Sequence, residues 1–220
     1  WEPMAVKNIP ANVASILSAL MTLMGVFGLV KIALLSPASM VLGIILMAVG
    51  AFSVFFAALF EYVSENTRLL LGYSTIENNG AILVAVGLLI ANVSATVTNF
   101  VIYTVLMLCL AHSVSKTGLF LMSGSLNNKD MDKISNKKDL TTIVGNILLS
   151  LSLSGLLPTV GGVAIWMLIE SLFITATASN LWLAVTALII GGLIALGEGI
   201  VSGAMVKFVS FTQSYKSSNY

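Results

Sequence analysis

From Ser39 to Phe60 no residue is charged, and comparable apolar stretches recur along the 220-residue chain. About 20 apolar residues cross the hydrocarbon of a bilayer as a helix. Backbone in lipid must satisfy its own polar groups, so such stretches are either helices or strands of a closed barrel. Barrel strands alternate apolar and polar residues over about ten positions. These runs are continuous, and the expected fold class is all-α, a polytopic transmembrane helix bundle. The runs predict about seven helices, approximately at 13–35, 39–62, 80–94, 96–123, 140–157, 163–177 and 181–210.

Composition agrees. Hydrophobic residues make up 58% and charged residues 9%, with a mean hydropathy of +1.03, whereas soluble domains have about 45–50% apolar and about 25% charged residues. The net charge of +1 leaves no basic stripe to neutralise phosphates, so nucleic acid is not an expected partner. The single Cys109 forms no internal disulfide and reads as a small buried hydrophobe. No basic segment with a short apolar core precedes the first span, so no signal peptide is expected.

Charge is concentrated in one place. Of 10 Lys and Arg and 9 Asp and Glu, seven fall from Lys129 to Asp139 in NNKDMDKISNKKD. This marks 124–139 as a polar loop outside the bilayer, within a single transmembrane domain covering 1–220. Its lysine excess is too small to orient the chain by the positive-inside rule. GLLPTVGG, around Pro158, lies between two apolar segments and predicts a helix interrupted within the membrane, a device that exposes backbone groups along ion paths.

Charges inside the spans cost about 2.5–3.5 kcal/mol each on insertion scales, so the few present need a receiving interior. In LCLAHSVSKTGLFLM, His112 and Lys116 stand four residues apart, hence on one helix face. They form either two stations of a proton relay, or a histidine bonded to a carbonyl with a lysine snorkelling to the interface. Glu198, in LIALGEGIVSG, lies deep in an apolar run and needs a partner or a proton. Arg68 and Glu77 lie on the approach to the third predicted span, as vestibule or interfacial residues. Glu170 has either a pathway or a helix-packing role, and Lys207 sits where the last segment emerges, with snorkelling as its default. Asn92, Ser94, Thr96, Thr98 and Asn99 read as a helix junction. One His and one Cys supply no metal cluster, iron-sulfur ligand set or catalytic triad.

Several stretches together resemble one family. WEPMAVKNIPANVASILSALMTLMGVFGLVK resembles W-L-P-x-A-H-P-x-A-P-x-x-V-S-A-L-L-S-G-x-x-x-K-x-G-x-Y-G-L-L-R. RLLLGYSTIENNG resembles K-R-L-L-A-Y-S-S-I-E-N-I-G, and AHSVSKTGLFLMSGSL resembles N-H-A-L-F-K-A-L-L-F-L-x-A-G-S. LSLSGLLPTVGG resembles L-S-L-A-G-L-P-P-x-x-G-F, and GAMVKF resembles C-F-V-K-x-F. These are motifs of the antiporter-like, proton-translocating membrane subunit of energy-converting [NiFe] hydrogenases, formate hydrogenlyase, Mrp-type antiporters and respiratory complex I.

The resemblance implies discontinuous helices and a multi-pass location in the cytoplasmic membrane; together with the charges inside the apolar runs it gives an expected ion path including His112, Lys116, Glu198, Arg68, Glu77, Glu170 and Lys207. It implies no cofactor in this chain, with iron-sulfur and NiFe centres in partner subunits, and H+ or Na+ as the translocated ion. Three stations of the pattern are apolar here. Its first broken-helix Lys aligns with Leu23, its opening His with Val6, and its second broken-helix Lys or Glu with Ile165. Arg68 stands where the pattern has Lys and does not release its proton at ordinary pH. Glu170 lies about 140° round the helix from Ile165 and does not simply replace it.

The pattern also has a preceding inverted repeat. Its absence from these residues implies either a separate subunit supplying that half or a reduced relative. The expected function is therefore a split or reduced ion-translocating subunit of a redox-driven hydrogenase-type complex, itself non-catalytic. The alternative is a non-conducting scaffold derived from an antiporter, and a free-standing transporter fits least.

Overall fold

A computed structural model describes residues 1–35, 37–91, 95–126, 129–131 and 140–213. A short helix α1 (Glu2–Asn8) leads into α2 (Ala11–Ile16), which continues through a wide π turn (Leu17–Met21) into α3 (Thr22–Leu35). There follow α4 (Met40–Val63), α5 (Thr67–Ala91), α6 (Ala95–Gly124), α7 (Leu140–Leu153), α8 (Val160–Ala178) and α9 (Leu181–Gln213). Among the described residues, six segments are long and apolar enough to cross a membrane, while α7 is apolar but shorter. No strand occurs among the described residues beyond an isolated bridge, Asn66 to Asp130.

α4 and α5 form a tightly packed antiparallel hairpin. A Cβ added at Gly50 would lie 2.6 Å from the Gly80 carbonyl oxygen, and one at Gly43 would lie 2.7 Å from that of Gly87. Small residues thus let the two backbones touch, as expected where lipid gives no hydrophobic drive between helices. Asn66 closes the turn and starts α5 by accepting the Arg68 and Leu69 amides on Oδ1, both at 3.2 Å. Lys129 and Met131 fold over the same turn: the Lys129 carbonyl accepts the Thr67 amide at 2.9 Å, and the Met131 amide donates to the Glu65 carbonyl at 2.9 Å. α9 packs on α4, with a Cβ at Gly197 lying 2.8 Å from Val54 Cγ1. Phe27, Phe52, Leu106 and Trp182 point outward, as suits a hydrocarbon solvent.

One predicted boundary is corrected. The third helix starts at Thr67 rather than near 80, so Arg68 and Glu77 lie inside it and not on its approach. The polar run from Arg68 to Asn79 masked its start. Most of this helix is buried, so protein rather than lipid solvates those residues and they need not be apolar. The interruption at Pro158 occurs: α7 ends at Leu153, Gly155 takes φ +64, and α8 begins after Thr159, whose Oγ1 accepts the Gly162 amide at 3.2 Å. Residues 127–128 and 132–139 of the predicted loop, and Asn92 and Ser94 of the predicted junction, lie outside the described residues. Thr98 and Asn99 belong to the start of α6.

Candidate functional site: a buried charged cluster

His112 and Lys116 are both fully buried on α6. Lys116 does not snorkel; its Nζ donates to the Leu71 carbonyl at 2.8 Å. His112 Nε2 lies 3.2 Å from the Ser18 carbonyl. A carbonyl only accepts, so Nε2 carries the proton and Nδ1, which has no partner, is left as the acceptor. Ser18 lies in the π turn, a distortion common at functional sites. Its carbonyl also receives the Thr22 hydroxyl at 2.6 Å.

Around this face stand four buried carboxyls: Glu2 on α1, Glu61 on α4, Glu77 on α5 and Glu198 on α9. Lys116 interacts electrostatically with Glu61, Glu77 and Glu2. Neither oxygen of Glu61 has a hydrogen-bond partner. Glu77 and Glu198 face each other within hydrogen-bonding reach, a bond that exists only when one of them holds a proton. Apart from that contact, both Glu198 oxygens are unpartnered. Glu198 also caps the broken-helix region: a Cβ at Gly155 would meet Glu198 Oε2 at 2.8 Å and Ile165 Cγ1 at 3.2 Å.

Fully ionised, four carboxylates against one ammonium leave three negative charges uncompensated outside bulk water (4 − 1 = 3). That arrangement is strongly unfavourable at low dielectric. The orphaned atoms of Glu61, Glu198, His112, Ser74 and Ser115 are positions that ordered water would satisfy.

Other predicted residues lie apart. Arg68 is buried at the start of α5, where Nη1 donates to the Ile9 carbonyl. Lys207 Nζ donates to the carbonyls of Tyr62 at 3.0 Å and Ser64 at 2.8 Å, capping the end of α4. Glu170 is half-buried on the α8 side that carries exposed Trp166, Ile169 and Phe173, away from the cluster. Among the described residues, no group of three or more His, Cys, Asp or Glu is arranged to hold a metal ion.

Glu61 and Glu2 escaped the sequence reading. For Glu61 a signal existed: Gly43, Met47, Gly50, Val54, Ala57 and Glu61 recur at spacings of three and four, which puts the carboxylate on the packed face. Glu2 precedes the first apolar run, and nothing local marks it as buried.

The family described as NADH:quinone oxidoreductase/Mrp antiporter, TM matches residues 1–152. The chain belongs to this family. Among the antiporter-family relatives, hydrogenase-4 component B of Escherichia coli K12 is 29% identical, over 96% of this chain and 34% of its own length. Formate hydrogenlyase subunit 3 of the same organism is 28% identical, over 94% and 35%. The chain thus spans about a third of the length of these relatives. A solved Mrp complex from Dietzia sp. DQ12-45-1b contains a chain that superposes with a TM-score of 0.69 at 19% identity, covering 91% of this chain and 37% of that one, a likeness of fold. The chain is a multi-pass membrane protein with the antiporter-like fold.

The three apolar departures from the family pattern have distinct surroundings. Leu23 borders an apolar cavity with Val26, Phe27, Val30 and Cys109. Val6 is buried against Gly72, and Ile165 lies beside Gly155 and the Glu198 carboxyl.

Proposed function

We propose that this chain is an ion-translocating segment of an antiporter-like membrane subunit, working in the cytoplasmic membrane within a redox-driven, hydrogenase-type complex. The observation that carries this reading is Lys116, a wholly buried ammonium facing buried carboxyls on separate helices. Leaving such a cluster in a membrane interior is costly, and a packing role alone would be better served by apolar side chains. The translocated ion is H+ or Na+. Links through hydroxyls, a carboxyl pair and a neutral imidazole favour H+.

The chemistry is proton exchange driven by electrostatics. When Lys116 is protonated it stabilises the carboxylate forms of Glu61 and Glu77; when it gives up its proton, those carboxyls rebind protons. Charge changes outside the chain therefore shift protons across the cluster without any bond other than O–H and N–H changing. Glu77 and Glu198 pass one proton between α5 and α9, beside the break between α7 and α8. His112, Arg68, Glu170 and Lys207 differ in this scheme: His112 exchanges protons, whereas the other three lie outside the exchanging set. Other membrane subunits are the expected partners, and iron-sulfur and NiFe centres belong to them. In this reading the described residues form one transmembrane domain.

The scaffold reading is favoured by one observation, the apolar Leu23, Val6 and Ile165 at stations of the family pattern. Lys116→Met in the native complex decides between the two. Loss of ion translocation at unchanged assembly supports conduction; unchanged translocation supports the scaffold.

A further inference from the structure

One carboxyl of the buried cluster has no role in this scheme. Glu2 precedes the first span yet is only 5% exposed. Docking of α1 on α5 fixes it there: a Cβ added at Gly72 would lie 2.7 Å from Pro3 Cα and 2.9 Å from Val6 Cγ2. The Glu2 carboxyl reaches the hydroxyls of Thr75 and Ser18, which are 2.6 Å apart, while its Oε1 has no hydrogen-bond partner. The Thr75 hydroxyl donates to the Leu71 carbonyl at 3.0 Å, and the Lys116 ammonium donates to the same carbonyl at 2.8 Å. Ser18 in turn offers its carbonyl to His112. Glu2 thus lies beside the hydroxyls of Thr75 and Ser18, and Thr75 shares the Leu71 carbonyl with Lys116.

We infer that Glu2 is the terminal proton-exchanging carboxyl of the buried axis, connecting Lys116, through the Thr75 and Ser18 hydroxyls, to the end of the bundle where α1 packs. The inference rests on the proton-conducting reading of Lys116. A hydroxyl both accepts and donates. A proton taken from water onto the Glu2 carboxylate passes to the Thr75 oxygen as that hydroxyl turns from Leu71 and releases its own proton to an unprotonated Lys116 amine. Glu2 returns to carboxylate, and one O–H bond has been exchanged for one N–H bond. Glu2 and Val6 lie one turn apart on α1, so the carboxyl occupies the same face as the position where the family pattern has its histidine.

The test uses membrane vesicles carrying the native complex, with proton translocation normalised to the amount of this chain. Glu2→Gln is expected to lower translocation at least tenfold, less than the roughly 10²–10⁴-fold that a positioned proton-transfer group contributes to a catalysed step. Glu2→Asp, which keeps the carboxyl, is expected to stay within about threefold of wild type. Wild-type translocation in Glu2→Gln alongside its loss in Lys116→Met overturns the role of Glu2 and leaves the Lys116 reading standing. Wild-type translocation in both variants removes both. Equal losses in Glu2→Gln and Glu2→Asp make Glu2 a packing residue and overturn the inference as well.

Discussion

Replacing Gly50 with alanine should loosen the hairpin that holds two of the carboxyls in place. The added Cβ would meet the Gly80 carbonyl oxygen at 2.6 Å and the Val84 amide nitrogen at 2.9 Å. Both are backbone atoms, so no side chain can swing aside. Restoring ordinary contact at 3.4 Å moves α4 and α5 apart by about 0.8 Å (3.4 − 2.6). Overpacking of this kind costs about 1–3 kcal/mol. Eleven residues separate Gly50 from Glu61, three turns along one face of α4, and Gly80 follows Glu77 by about one turn of α5. The same displacement therefore spreads Glu61 and Glu77 relative to Lys116. Unfolding in mixed detergent micelles measures the loss, with Gly192→Ala as the control, because nothing lies within 4 Å of a Cβ there. Gly50→Ala as stable as wild type would refute the close-packed hairpin.

Four further outcomes are expected. Asn66→Ala removes the cap that receives the Arg68 and Leu69 amides and should cost about 1 kcal/mol in the same unfolding assay. Lys207→Gln withdraws a charged donor from the end of α4 and should lower stability while leaving translocation at wild-type level. Glu170→Gln should change neither, since the side chain lies on the outward side of α8. Burial holds the Glu2 carboxyl above the ordinary carboxylate range, against the opposing pull of Lys116 and the nearby hydroxyls. Its contribution to stability is therefore present at low pH and lost as pH rises through its folded value. Stability of Glu2→Gln relative to wild type should increase over that window, and a pH-independent difference would contradict the assignment.

The membrane class and most helices were legible because apolar length alone decides them. The buried placement of His112 and Lys116 on one side of α6 was legible because a lone His and a Lys four residues apart in an apolar run share a helix face. The start of α5 was not, since hydropathy measures preference for lipid and this helix is solvated by its neighbours. Glu61 was hidden for a related reason: it ends an apolar run, where a charge reads as interfacial, and only packing reveals that α5, α6 and α9 enclose it. The outward placement of Glu170 was illegible because α8 is apolar on most sides, leaving no stripe to mark its inner face. Contacts between distant segments, such as Ser18 with Thr75, carry no local pattern.

Glu61 offers the most direct test of a conducting cluster, because its importance follows from the buried geometry and not from the family motifs. Ion translocation per redox turnover should be measured in vesicles carrying the native complex with Glu61→Gln, an isosteric change that removes only the ionisable proton site. A conducting cluster predicts a fall of at least tenfold with the complex fully assembled; wild-type translocation per turnover would contradict it.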